Sequence, residues 1–256
     1  VKKQGGIAEA CICYTGDITD PQKTKYDLNY YLQLARQLEA MGADIICIKD
    51  MAGLLRPQAA GLLIKALKES VGTPLHFHNH DSSGAGVTSL YQGIVNGCDI
   101  VDGAVSSMSG LTSQPSLNAL VASLDHETSK KTLSLEVLDQ LSHFWRQARQ
   151  MYTCFDPGLR STSTDVYFHE IPGGQYSNLF NQAEQVGLSA QEFQDLTHRY
   201  KEVNDLLGDI IKVTPSSKVV GDFALLLQKS GVTGPELLQN KVSLDYPDSV
   251  ISFFQG

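Results

Sequence analysis

The stretch IICIKDMAGLLRPQAAGLLIKALKESVGTPLHFHNH, Ile45 to His80, decides the fold. An apolar run of strand length, Asp44 to Lys49, gives way to a loop and then to Pro57, which suits the first position of a helix because the N–H it lacks would go unpaired there anyway. Leu62, Leu63, Ala66 and Leu67 follow at helical spacing and are expected to face inward. Leu75 to His80 is again a run of strand length. The switch between the two periods is the mark of a βα repeat.

The same alternation extends in both directions. Upstream, Ile7 to Tyr14 reads as a strand, Gly16, Asp17 and Pro21 as a turn, and Asp27 to Met41 as a helix. Leu28, Tyr31, Leu32, Ala35 and Leu38 form its apolar stripe, and Gly42 ends it. Downstream, a helix over about Ala85 to Asn96 leads to a fourth strand at Ile100 to Ala104. Four βα steps fit either half of an eight-fold barrel or a small open sheet. After Leu124 the pattern changes to long helical segments, Leu133 to Tyr152, Leu188 to Leu207 and Val219 to Lys229, with Gly- and Pro-marked loops between them. The expected organisation is therefore a βα part over 1–124 and a mostly helical part over 125–256, with one or two short helices after Thr233.

Composition narrows the function. The chain of 256 residues is 42% hydrophobic and 19% charged, as expected of a folded water-soluble protein, and its apolar runs are too short to span a bilayer. The net charge of -8 and the lack of a basic stripe interleaved with aromatics argue against nucleic acid as a partner. The five cysteines form no CxxC pair, which suits a reducing compartment; Cys11 and Cys13, two apart on one strand face, read as buried thiols. The chain opens on Val1 with no signal peptide in view, and sequence upstream of it is expected.

The chemistry concentrates at two strand ends. His76, His78 and His80 are spaced by two, so they share one side of a strand, and His78 and His80 lie nearest its C-terminal end, where βα barrels build their sites. Two imidazoles at that spacing can hold one divalent ion; the bland alternative is a set of hydrogen-bonded core histidines, which three on one face beside Asp81 disfavour. Lys49 ends the preceding strand on the face of Ile45 and Cys47, where an ammonium is costly to bury. It is either a neutral amine able to take up carbon dioxide as a carbamate, and so a third ligand, or one half of a salt bridge with Asp50 or another acid. His126, His143, His169 and His198 are isolated and read as solvated or hydrogen-bonded. Gly173 and Gly174 read as a tight turn, and TPSSK, Thr214 to Lys218, as a helix start.

Six strings in order, YTGD (Tyr14–Asp17), KDMAGLL (Lys49–Leu55), HFHNHDSSG (His76–Gly84), SGLTSQPS (Ser109–Ser116), PGGQYSNL (Pro172–Leu179) and KVTPSSKVVGD (Lys212–Asp222), resemble the carboxyltransferase domain of pyruvate carboxylases over almost the whole chain. The resemblance implies the second half of a TIM (β/α)8 barrel followed by a helical funnel domain. It implies metal ligation by His78, His80 and carbamylated Lys49, with Zn or Mn as the ion, and a proton shuttle at Thr112. The reaction it implies is carboxyl transfer from carboxybiotin to pyruvate, giving oxaloacetate, with biotin brought by a carrier domain outside this chain. Also implied are a fourth, aspartate ligand and substrate-binding side chains in a barrel half that this chain lacks, assembly as a homo-oligomer, and a bacterial cytoplasmic or mitochondrial matrix location. On that reading the isolated chain is expected to show little activity. Competing readings are the α subunit of a biotin-dependent oxaloacetate decarboxylase, a metal-dependent aldolase or lyase with its own HxH pair, and a non-catalytic assembly fragment.

Overall fold

The computed structural model describes residues 1–125, 133–156, 158–239 and 243–256, so His126 lies outside the described residues. The chain forms two compact units, Val1–Thr164 and Asp165–Gly256. The first is built on four parallel strands lying side by side in chain order: β1 (Glu9–Cys13), β2 (Ile45–Asp50), β3 (Leu75–Asn79) and β4 (Ile100–Val101). The crossovers between them are α1 (Leu28–Ala40), α2 (Pro57–Ser70) and α3 (Gly86–Val95). Four consecutive βα steps of this kind form one arc of a (β/α) barrel.

Strand alternation divides the sheet into two chemically distinct faces. Ile12, Ile46, Ile48, Leu75 and Phe77 are at most 1% exposed and pack against the crossover helices. Burial of each such side chain contributes about 1.5–3 kcal/mol. The other face holds the rows Cys11, Cys47, His76 and Cys13, Lys49, His78. Cys11 is exposed here on the face without helices, the face that a complete barrel turns inward. Cys47, in the middle of the row, is buried.

Local signals set the helix bounds. Asp27 caps α1 by accepting the Tyr30 N–H at 2.8 Å, and Pro57 opens α2. Leu62 points outward at 45% exposed, while Ile64 is fully buried in α2. β4 stops at Val101 rather than reaching Ala104, because Ala104 leaves the sheet to bridge Ser116.

The change of pattern near residue 125 and the division between compact units do not coincide. α4 (Leu117–Ser123) and α5 (Leu135–Arg149) belong with the sheet. Asn118 Nδ2 donates to Asp139 Oδ1 at 2.6 Å, the Ser107 N–H donates to Ser142 Oγ at 3.0 Å, and Arg149 donates to the Ser107 carbonyl at 3.0 Å. Helical period therefore continues in residues whose partners are the loops after β4.

The second unit is helical: α6 (Val166–His169), α7 (Gly173–Gln185), α8 (Ala190–Leu206), α9 (Ser216–Ser230), α10 (Gly234–Leu238) and α11 (Asp248–Gln255). A reciprocal capping box of Ser189 and Glu192 starts α8. Leu179, Leu196, Tyr200, Val203, Val220 and Leu227, all fully buried, form its core. Gly173 and Gly174 are the first turn of α7 and not a tight turn, since Pro172 stands at the N-cap position and starts the helix. A side chain at Gly221 would come within 2.5 Å of the Gln175 amide, so the GGQ and VVGD strings are matched parts of one helix contact. Among the described residues no helix is long and apolar enough to cross a membrane.

His169 gives this unit a pH dependence. It is buried, stacks on Tyr176, and accepts the Ile171 N–H on Nδ1 at 2.9 Å, a bond that needs the ring nitrogen unprotonated. Burial lowers its pKa to about 4, against weaker opposing pulls from Asp165 and Glu170. A depressed histidine pKa means that the unfolded chain takes the proton first, so the contribution is full above pH about 6.5 and is lost as pH falls from there toward 4. The loss expected is about 2.5 kcal/mol, read as the difference in urea stability between pH 7.5 and 4.5 for the wild type minus that for His169→Asn. Equal pH slopes in the two proteins would contradict it.

Candidate functional site

Three short segments, at the ends of β2 and β3 and in the loop after β4, meet on the uncovered face of the sheet. Lys49 stands in register between Cys13 and His78, and His80 follows one step beyond β3. The rings of His78 and His80 are 5.5 Å apart at 75°. His78 Nδ1 donates to Asp102 Oδ2 at 2.7 Å, and His80 Nδ1 donates to the carbonyl of Thr112 at 2.6 Å. A carbonyl oxygen can only accept, so His80 carries its proton on Nδ1 and leaves the Nε2 lone pair available; the Asp102 carboxylate imposes the same choice on His78. This is the arrangement by which outer partners prepare imidazoles for a metal. Burial, aided by the nearby His78 and Lys49, lowers the His80 pKa and favours the neutral ring that ligation needs.

Lys49 is half-buried and has no hydrogen-bond or ion-pair partner among the described residues. The salt bridge to Asp50 that the sequence allowed does not form, because alternation turns Asp50 to the helix-covered side. There Asp50 is fully buried and accepts the N–H groups of Gly53, Leu54 and Leu55 at 2.9, 2.9 and 2.7 Å. Burial pushes its pKa up to about 6, with those amide bonds pulling the other way. The KDMAGLL string is thus a carboxylate-centred turn that fixes the end of β2. Gly53 is required in it: its φ is +77°, and a Cβ would sit 2.6 Å from the His80 carbonyl oxygen.

The SGLTSQPS loop is fastened to the end of β3. Beyond the His80 bond, the Asp81 N–H donates to the Ser113 carbonyl at 2.8 Å, and the Gly110 N–H to the Gln114 carbonyl at 2.8 Å. Leu111 has a φ of 56°, an unusual conformation for a leucine, immediately before Thr112. A cleft of about 320 Å³ opens beside Thr112, lined also by Leu111, Arg149, Tyr152 and Phe155.

The fold therefore brings His78, His80, Lys49 and Thr112 into one neighbourhood. Sequence reasoning overlooked Asp102, which clamps His78 and lies 3.1 Å from His76 Nε2, out of line for a hydrogen bond there. Its signal was available: Asp102 lies one residue beyond β4 and two from Ile100, hence on the face where Ile100 pairs with His76. His76 itself bonds Glu9 at 2.7 Å and stands one row from the His78 level.

The chain belongs to the HMGL-like family, whose model matches residues 16–144; residues 166–256 match the conserved carboxylase domain. It corresponds to part of the carboxyltransferase domain of pyruvate carboxylases. Over 256 residues it is 48% identical to pyruvate carboxylase of Bacillus subtilis (strain 168), covering 100% of this chain and 22% of that protein. The mitochondrial pyruvate carboxylase of Mus musculus is 47% identical over 98% of this chain and 22% of its own length. The carboxyl transferase domain of Rhizobium etli pyruvate carboxylase, solved with pyruvate and biocytin, superposes with a TM-score of 0.96 at 42% identity, covering 100% of this chain and 43% of that one. The chain thus spans about a fifth of the length of these curated relatives, and its four-stranded sheet is part of a barrel of that type.

Proposed function

We propose that this chain carries the metal-holding and proton-shuttling part of a biotin-dependent carboxyltransferase that moves a carboxyl group from carboxybiotin to pyruvate and forms oxaloacetate. The observation that carries the proposal is the fixed tautomer of His78 and His80, with Nδ1 occupied on both rings and both Nε2 atoms available beside a lysine that has no partner among the described residues. An ammonium next to two ligating imidazoles would repel a cation. A carbamate on Lys49 reverses that sign and adds an oxygen donor, giving a mixed nitrogen and oxygen set suited to Zn or Mn. When bound, the ion supplies fixed positive charge that lowers the cost of negative charge on a substrate oxygen.

The protein's own groups supply the remainder. Asp102 and the Thr112 carbonyl orient the imidazoles. The Thr112 hydroxyl takes a methyl proton from pyruvate as it passes its own to the biotin ureido nitrogen, while the carbon–carbon bond forms and the nitrogen–carboxyl bond breaks. The Rhizobium etli domain was solved with pyruvate and biocytin, which supports this substrate and carrier pair. The biotinyl carrier, the rest of the barrel and a homo-oligomeric partner are contributed from outside the residues discussed, in a bacterial cytoplasm or a mitochondrial matrix.

The test is metal affinity on the polypeptide that carries this chain. Asp102→Asn removes the carboxylate behind His78 and is expected to weaken Zn or Mn binding about 10–100-fold, with His80→Ala weakening it further. Unchanged affinity in His80→Ala would overturn the proposal.

A further inference from the structure

On the same uncovered face, one register row toward the N-terminal ends of the strands, Glu9, Cys47 and His76 each bring one potential ligand atom to within 4.8 Å of the others. We propose that these three residues form a second divalent-metal site, selective for a thiophilic ion of the Zn²⁺ class.

The donor chemistry is the first argument. A thiol, an imidazole and a carboxylate are the three side-chain types that zinc accepts, and three protein donors leave one position open for water. The placement is the second. Cys47 and His76 are register partners on adjacent parallel strands, so the rigid sheet sets the distance between them, and Glu9 reaches the same point from β1 with its carboxylate 2.7 Å from His76 Nδ1. His76 also has an unmet need. His76 Nε2 is buried without a hydrogen-bond partner among the described residues, and a carboxylate oxygen of Asp102 stands 3.1 Å away, so positive charge at this ring would be stabilised.

A coordinating thiol loses its proton to a divalent cation, so binding should release one proton from Cys47. The site is separate from the His78 and His80 position. The two positions use different ring atoms: Glu9 meets His76 at Nδ1, whereas His78 and His80 have Nδ1 occupied by Asp102 and the Thr112 carbonyl and offer Nε2.

The experiment separates the two sites by ligand, because Cys47 is a ligand of this one alone. Titration of Co²⁺ into the purified protein is followed by the thiolate-to-cobalt charge-transfer band in the near ultraviolet. The band is expected at one ion per chain, retained in the His78→Ala/His80→Ala double variant and lost in Cys47→Ser. Glu9→Gln, an exposed and conservative change, is expected to weaken Zn²⁺ competition for the bound cobalt at least tenfold. Absence of the band at saturating Co²⁺, or its persistence in Cys47→Ser, would overturn the second site and leave the His78 and His80 proposal untouched.

Discussion

Replacing Thr112 by alanine will lower carboxyl transfer by about 10²–10⁴-fold, the usual contribution of a positioned proton-transfer group. Metal content will not change. The two effects separate because the residue does two things through different atoms: its carbonyl holds His80 at 2.6 Å, and any amino acid supplies a carbonyl, whereas only the side chain can shuttle a proton. Loop geometry should survive as well, since the bonds of Ser113 to Asp81 and of Gly110 to Gln114 are all main-chain. Thr112→Ser keeps the hydroxyl and is expected to retain most of the rate. The measurement is biotin-dependent oxaloacetate decarboxylation by the polypeptide that carries this chain, with metal quantified in the same samples. A Thr112→Ala protein with its metal and near-normal turnover would remove the shuttle from the account.

The second large effect is on stability. Lys212→Met will destabilise the helical unit by about 3–5 kcal/mol, the cost of removing one partner of a buried ion pair. Lys212 and Glu170 are 2% and 4% exposed in their side chains and 3.0 Å apart, with Asp209 a further 3.7 Å from the ammonium. Methionine fills a similar volume without charge, so the penalty is that of a carboxylate left in low dielectric without its hydrogen-bonded cation, and little of it is a cavity term. Glu170→Gln together with Lys212→Met should recover much of the loss, because the buried carboxylate is then gone and Asp209, 36% exposed in its side chain, is hydrated. Urea unfolding followed by circular dichroism measures both. A single variant within 1 kcal/mol of wild type, as for an exposed pair, would contradict the burial assigned here.

Periodicity made the sheet half of the molecule legible. Residues such as Pro57 and Gly42 mark their own roles, and alternation fixed which side of β3 the histidines share. Legibility failed where the decisive partner is remote in sequence. Gly173 and Gly174 resemble a turn but open a helix with Pro172 at its N-cap, and the glycine that a close approach requires is Gly221, which meets Gln175. Helix α5 has the period of the helical unit yet is held to the sheet unit by Asn118 and Ser107. At the site, the ligand types were readable from His78, His80 and Lys49, whereas the second layer was not. Asp102 lies beyond a two-residue strand, and the other outer partner is a main-chain carbonyl that carries no side-chain signature.

The central claim is that one metal ion is held by His78, His80 and a carbamylated Lys49. An anomalous-difference map at the metal edge, from crystals of the polypeptide that carries this chain, tests it most directly. The account predicts a peak about 2.0–2.1 Å from Nε2 of both histidines, with carbamate density on Lys49 reaching the same peak. A map with no metal at these two nitrogens, or with metal there and Lys49 as a plain ammonium turned away, would contradict it.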